Sequence, residues 1–176
     1  MIMAREAIES VGGFNKKSYA VAFMIGSIEP DINPLTYTRG SIRQKLLGGH
    51  NYNNVKCSLY RTFDTLFNKR KWGVLEYYKF GKSIHYVCDA FTFPHNEEYK
   101  GGLLNHHKYE RLLGKRIKQF NHKYSMLIVN DEMDIKNSIE TLRNYYTREK
   151  SNITRDILFS RQAVGMTMSY FKDKIK

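Results

Sequence analysis

Four of the six histidines in the chain fall within residues 81–110, GKSIHYVCDAFTFPHNEEYKGGLLNHHKYE. His85 and Asp89 are four positions apart, so a helix stacks them on one face. His106 and Glu110 repeat that pairing one element later. Between the pairs, His95 follows Pro94, which ends the helix carrying the first pair. Imidazole and carboxylate paired at one-turn spacing is how helices present ligands to a zinc ion. The plain alternative is two surface His–acid pairs, each worth a few tenths of a kcal/mol. A repeated pair with a fifth candidate ligand between its members favours a metal site.

The elements that must position these groups can be read in order. Residues 1–11 form a helix stopped by Gly12-Gly13. Lys17–Ile28 forms a second, apolar helix ended by Pro30, which places Asp31 at the end of an element, aimed by rigid backbone. Taken alone, Asp31 reads as a turn residue. From Asn33 to Asn54 the chain is irregular, with one helical turn over Ser41–Leu47. His50 sits there among glycine and asparagine, a poor place for a packing histidine, and a solvated loop residue is the alternative. Val55–Asn68 is amphipathic, with Leu59, Thr62, Phe63, Leu66 and Phe67 on one face. Trp72–Phe91 is the longest apolar helical run, interrupted at Gly81, and it carries His85 and Asp89 among Ile84, Tyr86, Val87 and Phe91. Charged groups so deep in an apolar segment are costly unless paired or metal-bound.

Pro94–Gly102 is a loop that swings His95 and the next helix around the same cluster. Leu103–Asn121 is a basic helix with His106 and Glu110 on one stripe, near Leu103, Tyr109, Leu113 and Ile117. His107 points roughly 100° away from His106 and, with His122, reads as a surface residue. Met126–Val129 is a short apolar stretch. Asp131–Tyr146 and Asn152–Ile175 are two closing helices, N-capped by Asp131 and by Ser151 or Asn152. Tyr145, Tyr146, Phe159, Tyr170 and Phe171 are core or rim aromatics. Apolar residues recur at helical spacing and strand signals are nearly absent. The expectation is an all-α single domain over residues 1–176, a helical bundle with the ligand cluster between its helices.

At 176 residues, with 41% hydrophobic and 14% aromatic residues, the chain can bury a real core and is not of disordered composition. Its net charge of +12 favours anionic partners: phospholipid head groups, nucleic acid or phosphorylated small molecules. The two cysteines, Cys57 and Cys88, carry no disulfide framework and no Cys-x2-Cys spacing. Cys88, beside Asp89, reads as a packing residue. No run of 18 apolar residues offers a transmembrane span, and MIMAREAIES lacks the apolar region of a secretory signal. The expectation is a cytoplasmic protein as written, or a secreted or membrane-associated one if the true start lies upstream.

HYVCDAFTFPH followed by HHKYE resembles the zinc-dependent phospholipase C family, whose fold is shared with single-strand-specific zinc nucleases. That family carries His-x3-Asp, a further His six residues on, and then His-x3-Glu, matched here by His85, Asp89, His95, His106 and Glu110. A second stretch, IGSIEPDI at residues 25–32, resembles the family's Gly-Ser-Ile-x-Pro-Asp segment. The resemblance implies an all-α fold with zincs held between helices in a cleft. It makes Asp31 a metal-site carboxylate that orients or deprotonates the attacking water, and His50 a further ligand. One zinc would fall to His50, His85 and Asp89 with Asp31, the other to His95, His106 and Glu110. The family's third zinc is held by a His near the N-terminus, and no His precedes His50, so that third site is incomplete. The implied reaction is hydrolysis of a phosphodiester, of phospholipase C type on phospholipid head groups. A nuclease on the same scaffold is a sub-case, and a non-catalytic, zinc-stabilised module bound to acidic membrane surfaces is the alternative.

Overall fold

The computed structural model describes residues 2–32, 52–96, 98–119 and 134–175. Among these, every long regular element is an α-helix and no strand occurs. The helices are α1 (Ile2–Ser10), α2 (Lys17–Ile32), α3 (Tyr52–Asn68), α4 (Val74–Asp89), α5 (Leu103–Gln119), α6 (Ile135–Thr147) and α7 (Ile153–Tyr170), with a short 3-10 turn at Phe93–His95 between α4 and α5. His50, Ser41–Leu47, His122, Met126–Val129 and the cap expected at Asp131 lie outside the described residues.

α1 stops where expected, because Gly12 and Gly13 adopt φ of 75° and 92°, a conformation that costs other residues a Cβ clash. α2 departs from expectation: it runs through Pro30 to Ile32 rather than ending before the proline. In the last turn the proline removes only one intrahelical hydrogen bond, in a part of the helix where the ladder is already running out. Asp31 is therefore a residue of the final helical turn and not of the loop beyond it. α3 begins at Tyr52, three residues earlier than the hydrophobic pattern suggests, because Tyr52 is itself buried. Phe67 stacks on Tyr170 at the rim and stays exposed.

α4 is not interrupted at Gly81. A Cβ on Gly81 would run into the Phe23 carbonyl, and one on Gly26 into the Tyr78 carbonyl. The two glycines instead let α2 and α4 approach backbone to backbone, in the most extensive helix pairing of the described fold. Glu29 and Lys82 form an ion pair across the same interface. At the start of α4, Glu76 reaches back to accept from the Gly73 N–H at 3.0 Å, which satisfies a donor the helix leaves open. Trp72 donates to the Leu66 carbonyl at 3.0 Å, fixing the α3–α4 connection.

The core lies where α4 meets α2, α3 and α7: Phe23, Phe63, Phe80 and Phe171 are fully buried, and Trp72 packs edge-on against Tyr77 and Phe80. α1 is tied to α7 by a bidentate pair, Arg161 donating to both Glu6 oxygens at 2.7 and 2.9 Å. The closing helices begin on side-chain caps. Asp134 accepts from Lys136 N and opens α6, so the cap lies closer to the helix than the expected Asp131. Asn152 accepts from Arg155 N and opens α7, which ends at Tyr170, short of Ile175. Tyr146 and Phe171 are core residues, whereas Tyr145 is exposed.

Candidate metal centre

α4 presents His85 and Asp89 on one face, as the four-residue spacing requires, with His85 Nε2 3.0 Å from Asp89 Oδ2. The close approach of α2 then brings two more groups to the same histidine. His85 Nδ1 donates to the Ser27 carbonyl at 3.0 Å, which leaves Nε2 as the ring atom turned towards the carboxylates. Asp31 Oδ1, from the last turn of α2, lies 3.5 Å from that Nε2.

After α4 the chain turns sharply, and Pro94 sits in the first turn of the short 3-10 segment that ends in His95. His95 is buried, with Nε2 3.7 Å from Asp89 Oδ1 and 3.6 Å from Glu110 Oε1. α5 supplies the other side: His106 Nε2 lies 2.7 Å from Glu110 Oε1, and its ring stands perpendicular to that of His95 at 4.7 Å between centroids. His107, one position on, points outward, with Nδ1 3.6 Å from the second Glu110 oxygen.

The described members of the two expected ligand sets thus meet at Asp89, whose carboxylate faces His85 with one oxygen and His95 with the other; His50 lies outside the described residues. Asp31, His85, Asp89, His95 and Glu110 line a cleft of about 270 Å³ between α1, α2, α4 and α5, walled on its apolar side by Met3, Ala4, Leu113 and Ile117, and His106 stands beside it against His95 and Glu110. Cys88 also lines it, as a thiol whose pKa burial pushes up to about 12. Asp31, His85, Asp89, His95, His106 and Glu110 are brought together.

The electrostatics follow from enclosing acids with bases. Burial opposes the charge on His85, but the Asp89 carboxylate, with Asp31 beyond it, raises its pKa to about 9. Burial likewise opposes the charge on Asp89, and His85 and His95 outweigh it, holding the carboxyl below its ordinary value. Burial raises and His106 and His95 lower the Glu110 carboxyl, which ends well below the carboxylate range. His95 is shifted upward by Asp89 and Glu110 against its own burial. Asp31 differs: its partial burial raises it, against the opposing pull of His85.

The donor set fits a zinc ion. Among the described residues, His95, His106 and Glu110 each offer one ligand atom, and these lie within 4.8 Å of one another. His85 Nε2 and Asp89 Oδ2 are buried 3.0 Å apart with no hydrogen bond to any other group, so a metal ion could take both atoms without leaving another donor or acceptor unpaired. Imidazole nitrogens with carboxylate oxygens are the ligand types zinc takes.

Sequence reasoning missed the groups that hold this cleft from behind. Arg143 on α6 donates to the Ala90 carbonyl and, at 3.1 Å, to Asn96 Oδ1, bracketing the turn that carries His95. Asp156 on α7 is fully buried and accepts from Phe93 N, Tyr109 and Tyr146. An acid in the first turn of a helix looks in sequence like an ordinary complement to the helix dipole, so its burial gave no separate signal.

An all-helical frame that gathers histidines and carboxylates from four segments around one cleft defines a helical protein with the donors to hold a metal. The family model for zinc-dependent phospholipase C matches residues 1–159, and the chain belongs to that family. No curated protein and no solved structure matches it.

Proposed function

We propose that this protein is a zinc-dependent phosphodiesterase of phospholipase C type, acting on phospholipid head groups. The observation that carries the reading is the convergence of Asp31 on His85, itself paired with Asp89, in a cleft that also takes in His95 and Glu110, with His106 beside them. His95, His106 and Glu110 would hold one zinc, and His85 and Asp89, with Asp31 beside them and His50 as a further candidate, a second. Zinc bound there supplies Lewis acidity towards a phosphoryl oxygen and makes hydroxide available near neutral pH.

The chain's own residues do the rest. Asp31, half-exposed with its carboxyl raised by partial burial, orients the attacking water and takes its proton, the role of a general base. Water adds to phosphorus, the bond to the glycerol oxygen breaks, and that oxygen takes up a proton as Asp31 returns to its ionised form, giving a phosphorylated head group and diacylglycerol. The Ser27 carbonyl keeps His85 in one tautomer and one orientation. The apolar wall formed by Met3, Ala4, Leu113 and Ile117 excludes bulk water from one side of the reacting centre and offers a surface to the apolar part of a lipid.

The test is Asp31→Asn, which keeps size and a lone pair but removes the charge that draws off the proton. General-base contributions are roughly 10²–10⁴-fold in rate. The variant is expected to retain its zinc by elemental analysis while losing about that much turnover on p-nitrophenyl phosphorylcholine. Turnover equal to the parent's removes Asp31 from the reaction.

A further inference from the structure

Asp156 is the one carboxylate of the described fold that is fully buried with no cation beside it in an ion pair. It sits one turn inside α7, where its own N–H is already used by the Asn152 carbonyl at 2.9 Å. Its side chain reaches three other segments. Oδ2 accepts from the Phe93 N–H at 2.9 Å and from the Tyr109 hydroxyl at 2.7 Å, and Oδ1 accepts from the Tyr146 hydroxyl at 2.8 Å. Two of these donors adjoin metal-type ligands: Phe93 opens the 3-10 turn that ends in His95, and Tyr109 precedes Glu110 on α5. The third, Tyr146, comes from α6, which supplies no ligand; its hydroxyl accepts from the Ser151 hydroxyl at 2.9 Å and, in a longer contact of 3.4 Å, from Asn96 Nδ2, a residue that Arg143 already holds at 3.1 Å.

A buried carboxylate with only neutral donors is expensive to keep for stability alone, since an apolar side chain of similar size would pack there without desolvating a charge. What it achieves is geometric. The Phe93 N–H and the Tyr109 hydroxyl share a single oxygen, so the turn bearing His95 and the helix bearing His106 and Glu110 are referred to one point. The Phe93 and Tyr109 rings pack at 6.0 Å around that junction. The distance from His95 Nε2 to Glu110 Oε1, 3.6 Å, depends on how those two segments sit relative to each other.

We propose that Asp156 is a positioning residue of the metal centre, setting the separation of His95 from His106 and Glu110 through the Phe93 N–H and the Tyr109 hydroxyl. This rests on the reading that those three residues hold a metal. Its mark is that the two tyrosines, which donate to the same carboxylate, differ in effect: the Tyr109 bond supports ligand geometry and the Tyr146 bond supports the fold.

The experiment titrates the metal-free protein and its Tyr109→Phe, Tyr146→Phe and Asp156→Asn variants with Co2+, reading visible absorption and dissociation constant, alongside melting temperature without metal. Groups that orient metal ligands are worth about 10–100-fold in affinity. Tyr109→Phe is expected to weaken Co2+ binding by about that factor and to shift the absorption bands. Tyr146→Phe is expected to lower the melting temperature while leaving affinity within about threefold and the bands in place. Asp156→Asn, if it folds, is expected to show both effects. A parent that binds Co2+ together with a Tyr109→Phe variant of unchanged affinity and spectrum overturns the role of Asp156 alone. Equal affinity losses in the two tyrosine variants do the same, since they indicate general destabilisation. A parent that takes up no Co2+ overturns the metal reading and this inference with it.

Discussion

His85 decides how the cleft responds to pH, because it is buried against two carboxylates and its pKa is raised from 6.5 to about 9. In the metal-free protein this stabilisation is fully present below about pH 6.5 and is lost as pH rises through about 9. Asp89 and Glu110 are depressed, so their contribution is present above the ordinary carboxylate range and is lost as pH falls through their lowered values. Zinc requires neutral imidazole, so its binding must expel the protons that His85 and His95 hold, and its effect grows with pH. Melting curves at pH 6 and pH 8.5, each with chelator and with zinc, should show the chelated protein less stable at 8.5. The gain from zinc should be larger there, at roughly 2–4 °C per kcal/mol for a chain of this size. A zinc gain that is equal at the two pH values, or larger at pH 6, contradicts this. The neighbours His106 and His107 are also distinguished at this scale: His106 faces Glu110 at 2.7 Å and His107 is mostly exposed. His106→Ala should lose about one zinc equivalent by elemental analysis and His107→Ala none.

At the scale of elements, the centre depends on how closely α2 lies on α4. Gly26 and Gly81 each face a carbonyl of the opposite helix, and only that approach lets the Ser27 carbonyl reach His85 and Asp31 reach the cleft. Gly81→Ala should therefore cost about 1–3 kcal/mol through overpacking, despite the better helix propensity of alanine, and should weaken zinc binding as well. Gly114→Ala, whose added methyl meets nothing within 4 Å, should not destabilise. Calorimetry and zinc titration check the pair, and equal stability in the two variants contradicts the reading of the crossing. This crossing marks the limit of what was legible from sequence. The spacings of His85 with Asp89 and of His106 with Glu110 survive folding because a helix fixes them locally. The all-helical fold was legible for the same reason, since apolar spacing reports helices. Gly81 read as an interruption and Pro30 as a stop, because a single sequence does not show which glycine faces another backbone or how near a proline lies to a helix end. Asp156 and Arg143 escaped notice because their partners, at Phe93, Tyr109, Ala90 and Asn96, lie 47 or more residues away in the chain.

At the scale of the whole molecule, a basic chain of net charge +12 carries an acidic cleft, with Asp31, Asp89 and Glu110 facing one another across the histidines. On the proposed reading, metal would neutralise those acids and let the cleft accept a phosphate, while the net positive charge of the chain would favour an anionic surface. No helix among the described residues is long and apolar enough to cross a membrane. The most direct measurement is product analysis after chelated protein is incubated with phosphatidylcholine vesicles, before and after zinc is restored. Diacylglycerol and phosphocholine, formed in equal amounts and only with zinc, are the predicted result. A protein that regains about two zincs per chain and still releases neither product contradicts the account.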